Sequence, residues 1–297
     1  MSYFHLNLIL KGKLTVCCLL MLSVIPLNAQ REAKQIGDFK ESISLNEHLR
    51  GTKRTLQYRP DGDEFVCVNG KNRYTRALYG SHSPFRVETS DRPVFAFYNN
   101  GRGGNISFKV ILRDGTELAL DRTGYCESRY SAGKRTYYLT DPSWGKGELR
   151  ISVLALADMD GAIWRFSPSN MPKGAILRWQ HGGATGKRLS RNGDMGVDPV
   201  DCFELPAEAT DLVTGELALQ KEVYLVRGEV PEGYNVRKLY QQAEAASLAL
   251  ASHLKIETPD PYLNTLGGAL VAAADGIWDG QVWLHGAIGW RMPLSGW

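Results

Sequence analysis

Residues 105–112, NISFKVIL, alternate polar and apolar side chains. Ile106, Phe108, Val110 and Leu112 fall on one face, the period-2 pattern of a half-buried strand. Asp114-Gly115 follows as a tight turn, and Glu117 to Asp121 returns. Working towards the N-terminus, Pro93 to Tyr98 is an apolar run ended by Asn99-Asn100-Gly101. Before it, Glu64 to Val68 reads as a short strand, and Asn69-Gly70 is a hairpin turn signal with Arg73 to Leu78 as the partner strand. Towards the C-terminus, Arg135 to Thr140, Gly147 to Ala155, Ala162 to Ser167 and Ala175 to Gln180 continue the series. Tyr137 and Tyr138 adjoin in one strand, so they point to opposite faces and at most one is core. Short strands at this spacing, separated by Gly, Asn, Asp and Pro, predict an antiparallel β-sandwich over residues 55–234. Within it, residues 182–209 read as a long loop and Glu216 to Gly228 as one more strand.

The texture then changes. Residues 235–257 read as a linker helix: Asn235 is an N-cap, and Val236, Leu239, Tyr240, Ala243, Leu250 and Leu254 form an apolar stripe. Residues 258–297 open on Thr258-Pro259-Asp260-Pro261. Asp260 caps a second helix and Pro261 suits its first position, where a missing N–H costs nothing. Leu263, Leu266, Leu270, Ala274 and Ile277 predict its apolar face. Trp278, Trp283, Trp290 and Trp297 follow, four of the chain's 7 tryptophans. A helical layer that begins here without neighbours to pack against is expected to belong to a larger, truncated one.

Ahead of the sandwich, Lys11 and Lys13 precede an apolar run from Leu14 to Leu27 that is too short for a stable span of about 20 residues. With Asn28-Ala29-Gln30 after it, residues 1–29 are expected to be a secretory signal, followed by an arm over residues 30–54. Removing the signal leaves 33 basic against 32 acidic residues, a net charge of +1. That is no footprint for nucleic acid, and no stable membrane span is expected after cleavage. The mature chain keeps Cys67, Cys126 and Cys202. Three cysteines cannot all pair, their spacing fits no zinc module, and buried thiols are the plainest reading.

Candidate chemistry concentrates at the C-terminal end. Trp283, His285, Trp290 and Arg291 are residues that line a sugar subsite: an indole covers the apolar face of a pyranose, and His or Arg bonds its hydroxyls. Core packing is the competing reading for the tryptophans. Glycosidic hydrolysis usually needs two carboxyl groups. Glu257 lies in the linker and Asp260 caps a helix. Asp275 and Asp279, four apart at a helix end, could share a face, but they read better as a solvated helix end, so the catalytic residues stay unassigned. His181 has no metal-ligand spacing, Gly101-Arg102-Gly103-Gly104 does not join a strand to a helix, and no metal or cofactor is expected.

The order of parts is similar to that of glycoside hydrolases with an N-terminal sandwich and a C-terminal (α/α)6 barrel. More narrowly, Asn69-Gly70, Arg76-Ala77-Leu78-Tyr79-Gly80, Trp283-Leu284-His285-Gly286-Ala287 and Gly289-Trp290-Arg291-Met292-Pro293-Leu294 resemble the exported bacterial proteins grouped as domain of unknown function 4450. The resemblance implies a mainly β fold: a supersandwich-like antiparallel sandwich, a linker helix and the first helix of an incomplete (α/α)6 barrel. It implies an exported protein, periplasmic, outer-membrane-associated or secreted, whose partner is carbohydrate. The expected function is the N-terminal fragment of a glycoside hydrolase acting on a polysaccharide or oligosaccharide, inactive alone because its catalytic carboxylates belong to the rest of the barrel. The alternative is a non-catalytic carbohydrate-binding or structural sandwich module. A polysaccharide lyase would place its helical part first.

Overall fold

A computed structural model describes residues 57–99, 102–188, 203 and 212–284. The expected sandwich is there: two antiparallel sheets of seven strands each. The first sheet runs β1 (Arg59–Asp61), β2 (Glu64–Val68), β8 (Tyr125–Ser131), β9 (Lys134–Thr140), β10 (Glu148–Ala155), β11 (Gly161–Ser169) and β14 (Val223–Gly228). The second runs β13 (Val213–Ala218), β12 (Ile176–Arg188), β6 (Arg102–Ile111), β5 (Phe95–Asn99), β4 (Arg86–Thr89) and β3 (Arg76–Leu78), with β7 (Glu117–Ala119) also paired to β6. Helices α1 (Val236–Ala251) and α2 (Pro261–Gly276) follow, with Asn235 and Asp260 as their side-chain caps.

Alternation sorts the side chains. Ile106, Phe108 and Val110 face the core, as do Phe95 and Phe97 beside them. Trp164 of the opposite sheet sits among them, its ring centroid 5.7 Å from Phe95, 5.6 Å from Phe97 and 6.1 Å from Phe108. Tyr137 is fully buried and Tyr138 is 37% exposed, so the pair does divide between the two faces. The outer face of the first sheet is also apolar at Leu154 and Ile163, and α1 covers it with Leu239, Tyr240 and Ala243.

Three expectations need correcting. Asn69-Gly70 is not a hairpin turn between β2 and the strand ending at Leu78. β2 pairs with β1 and β8, whereas β3 pairs with β4 in the other sheet. Asn69 instead adopts φ 50° and turns the chain across the sandwich. Its side-chain oxygen accepts from the Cys126 backbone N–H at 3.0 Å and from Arg92 at 3.2 Å. Gly70 must lack a Cβ, which would overlap Asp91 and stand 2.6 Å from Cys67 Sγ. Second, the segment from Glu216 to Gly228 holds parts of two strands, β13 and β14, one in each sheet. Third, the supposed loop from Gly182 begins as strand, because β12 continues to Arg188; residues 189–202 and 204–211 lie outside the described residues.

Asp91, fully buried after β4, ties the two sheets together. It accepts from Tyr58 Oη at 2.7 Å, Gln57 Nε2 at 3.0 Å and the Asn72 backbone N–H at 2.9 Å. Arg135 of β9 stands 3.5 Å from the same carboxylate and donates to the Ser90 carbonyl and to Ser128 Oγ. Tyr137 of β9 donates to the Ser90 carbonyl at 2.8 Å. Removing one partner of a buried charge pair strands the other, at a cost of about 3–5 kcal/mol. Asp91→Ala is therefore expected to lower unfolding free energy by about that much in urea titration, and Asp121→Ala by no more than about 0.5 kcal/mol.

Cys67 and Cys126 are buried free thiols; Cys202 lies outside the described residues. Burial pushes the Cys126 thiol up to about 12 from its ordinary 9.0, and the Tyr79 hydroxyl up to about 12 from 10.0. Both groups hold their protons more tightly folded than unfolded. The stability they contribute is full below about pH 9 and is lost as pH rises towards about 12. Circular dichroism across that window should show cooperative alkaline unfolding, with the thiols reacting with a disulfide reagent only as the fold opens.

Candidate functional site

The site to be tested begins at the end of α2. Trp278 donates its backbone N–H to the Asp275 carbonyl at 3.0 Å, and Leu284 donates to the Ile277 carbonyl at 2.8 Å. Between them Asp279 closes a tight turn, its carboxylate accepting from the backbone N–H groups of Gln281 and Val282. This closure brings Trp283 back over Trp278 in a β-bridge, with ring centroids 4.8 Å apart and planes tilted by 56°. Leu284 is buried beneath, while Trp283 is 55% exposed. An indole anchored on one side and open on the other offers a flat apolar surface, which distinguishes Trp283 from the core tryptophans Trp144 and Trp164. Of the other residues expected here, His285, Trp290 and Arg291 lie outside the described residues.

The acids of this region separate. Asp279 holds the turn, and Asp260 accepts from Tyr262 N at 2.9 Å as the cap of α2. Glu257 pairs with Lys255 at 2.5 Å. Asp275 is different: its carboxylate meets His82 Nε2 at 3.4 Å, beside a cavity of about 310 Å³ between α1, α2 and β10, also lined by Tyr79 and His253. His82 belongs to the loop joining β3 to β4. Ser81 Oγ donates to Asp160 Oδ1 at 2.7 Å and Ser83 Oγ donates to the same oxygen, which fastens that loop to the turn between β10 and β11. The local sequence gave one signal for this, Ser81-His82-Ser83-Pro84 directly after a glycine, but nothing in it pointed 193 residues on to Asp275.

The motif Arg76 to Gly80 has a packing role beside this loop. Leu78 is fully buried, and the Arg76 guanidinium lies 5.5 Å from the Tyr130 ring centroid. A Cβ on Gly80 would overlap the Leu156 carbonyl, and one on Gly276 would overlap the Tyr79 ring. The docking face of α2 also departs from the expected one. Thr265, Gly267, Ala272 and Gly276 are buried, whereas Leu263 and Leu270 are 44% and 50% exposed. Small side chains let the helix approach closely; leucines on that face would hold it off.

Elsewhere, His181 accepts at Nδ1 from Arg227 Nε at 2.9 Å, and its ring lies 5.0 Å from Phe97. Arg102 to Gly104 lie within β6. Among the described residues, no three His, Cys, Asp or Glu side chains gather as a metal site, and no helix is long and apolar enough to cross a membrane.

Residues 100–231 match the model of a family described as Domain of unknown function (DUF4450). The matched segment runs from β6 to β14 and supports the family resemblance read from the sequence, although residues 69–80 and 283–294, which carried that reading, lie outside it. No curated protein matches the chain. Gly80→Ala is expected to cost about 1–3 kcal/mol in chemical denaturation through overpacking, and Gln281→Ala, on the exposed turn, about 0.5 kcal/mol or less.

Proposed function

We propose that this chain is the sandwich-and-linker part of an exported glycoside hydrolase acting on a polysaccharide or oligosaccharide, and that it meets carbohydrate at Trp283. One observation carries the reading: Trp283 is held open to solvent by the Asp279 turn while backed by Trp278. Support comes also from the order of sandwich, linker helix and α2. Asp275 and His82, three residues and one loop away from the indoles, are of the kind that bond sugar hydroxyls. Export rests on residues 1–29.

The acid–base pair of hydrolysis is not, on this reading, among the described acids of the helical part. Glu257, Asp260 and Asp279 each have a structural partner, and Asp275 is held by a histidine. Those same commitments favour the second reading, a non-catalytic module. Calorimetric titration of the whole chain with neutral oligosaccharides tests both. The expected outcome is binding weakened about tenfold in Trp283→Ala, a change of about 1.4 kcal/mol, with no release of reducing ends. Binding unchanged by that substitution favours the module. Turnover lost in Asp275→Asn refutes that exclusion.

A further inference from the structure

Another concavity lies away from the tryptophans. It is a groove of about 610 Å³ on the outer face of the second sheet, within the range of about 300–1,000 Å³ common for ligand sites. Its origin is a change of partner along β6. β5 pairs with β6 as far as Ile106, and β7 pairs with it from Lys109 onwards. Ser107 and Phe108 between them are matched to β12 on one side only, by Gln180 and Trp179. The sheet therefore opens a gap in mid-strand, walled by the β2–β3 crossing and by the segment after Asp91.

Among the described residues the charge lining this gap is one-sided: Lys71, Arg73, Arg92 and Lys109 line it against one carboxylate, Asp121. The mature chain is nearly neutral, so four cations in one groove are not a sample of the average surface. Arg92 is fixed in place by donating to the Asp121 and Thr123 carbonyls at 3.1 and 2.8 Å and to Asn69 Oδ1. Those acceptors are neutral, so its charge is oriented without being cancelled. Lys109 meets Glu117 at 3.4 Å with both side chains exposed, an arrangement worth no more than about 1 kcal/mol and readily exchanged. Ser107 and Gln180 add a hydroxyl and an amide on the groove floor. Among the described residues the aromatic ring at the groove is Phe108, which is buried in the core, so they offer no stacking platform of the kind single-stranded nucleic acid uses.

We propose that this groove binds an anionic glycan, one whose sugars carry carboxylates or sulfate esters, with Lys71, Arg92 and Lys109 meeting the anionic groups and Ser107 and Gln180 the hydroxyls. The proposal rests on the reading of the chain as carbohydrate-active and adds a subsite remote in sequence from Trp283. Affinity electrophoresis of the whole chain in gels containing polygalacturonate, dextran sulfate, unsubstituted dextran or single-stranded DNA tests it. The expected result is retardation by polygalacturonate or dextran sulfate well beyond that by dextran or DNA, and whichever is stronger identifies the anionic group. Lys71→Glu/Lys109→Glu, both exposed or half-buried and outside the core, should weaken that binding about tenfold or more, and raising salt above about 0.15 M should weaken it further. Lys238→Glu, on the exposed face of α1 and outside the groove, should leave it unchanged. Equal retardation by DNA, or retardation indifferent to the double substitution, overturns the groove. If neutral oligosaccharides bind through Trp283 while no anionic polymer does, the groove fails and the functional reading stands.

Discussion

A buried carboxylate decides how the two sheets meet. Asp91 leaves β4 of one sheet and is reached by Arg135 of the other, with Tyr58, Gln57 and the Asn72 backbone supplying the remaining donors. A charge in an apolar interior is tolerated only where paired and hydrogen-bonded, so every donor must arrive in register before the carboxylate is satisfied. That condition selects one alignment of the sheets from the many that would bury the same aromatic side chains. It also explains neighbours that carry no chemistry. Gly70 is small because Asp91 occupies the place of its side chain, and Asn69 turns the chain just before the Asn72 N–H reaches the acid that Gln57 and Tyr58 also meet. The next residues, Arg92 to Val94, then wall the basic groove, so the position of that groove follows from the position of the buried acid.

The helical layer obeys a different rule. Leu263 and Leu270 define the most apolar stripe of α2, yet the helix docks through Thr265, Gly267, Ala272 and Gly276. A Cβ on Gly267 would stand 2.7 Å from the Leu254 carbonyl, and one on Gly268 3.0 Å from Ala132. Close approach of backbones, rather than area of hydrocarbon, sets this contact, and it carries the Tyr79 ring and the His82 loop against the end of the helix.

The strands were legible because alternation reports burial directly. Ile106, Phe108 and Val110 face inward as their spacing required, and Tyr137 and Tyr138 part as neighbours in a strand must. The caps were legible for the same local reason: Asn235 and Asp260 each act within three residues of themselves. What escaped was everything set by distant segments. A turn signal at Asn69-Gly70 describes a backbone angle, which it has, but not whether the next strand returns to the same sheet. Short strands such as β1 and β4 owe their pairing to partners more than to composition. At the candidate site, sequence alone left Trp283 open between a sugar-facing and a core position, and the structure exposes it, whereas the meeting of His82 with Asp275 depends on a loop pinned by Asp160. Apolar periodicity misjudged α2 because it counts hydrocarbon and cannot count clearance.

One contact spans nearly the whole described chain. Thr265 of α2 donates its hydroxyl to the Gly62 carbonyl at 2.9 Å, in the turn between β1 and β2. β1 is the outermost strand of its sheet, and an uncovered outermost strand is a template on which a second chain can add. The helix that reaches the turn beside it is encoded about 200 residues later, so a ribosome delivers this edge long before it delivers α2. Until α2 emerges, safety from self-association falls to the brevity of β1, three residues with a proline at its centre.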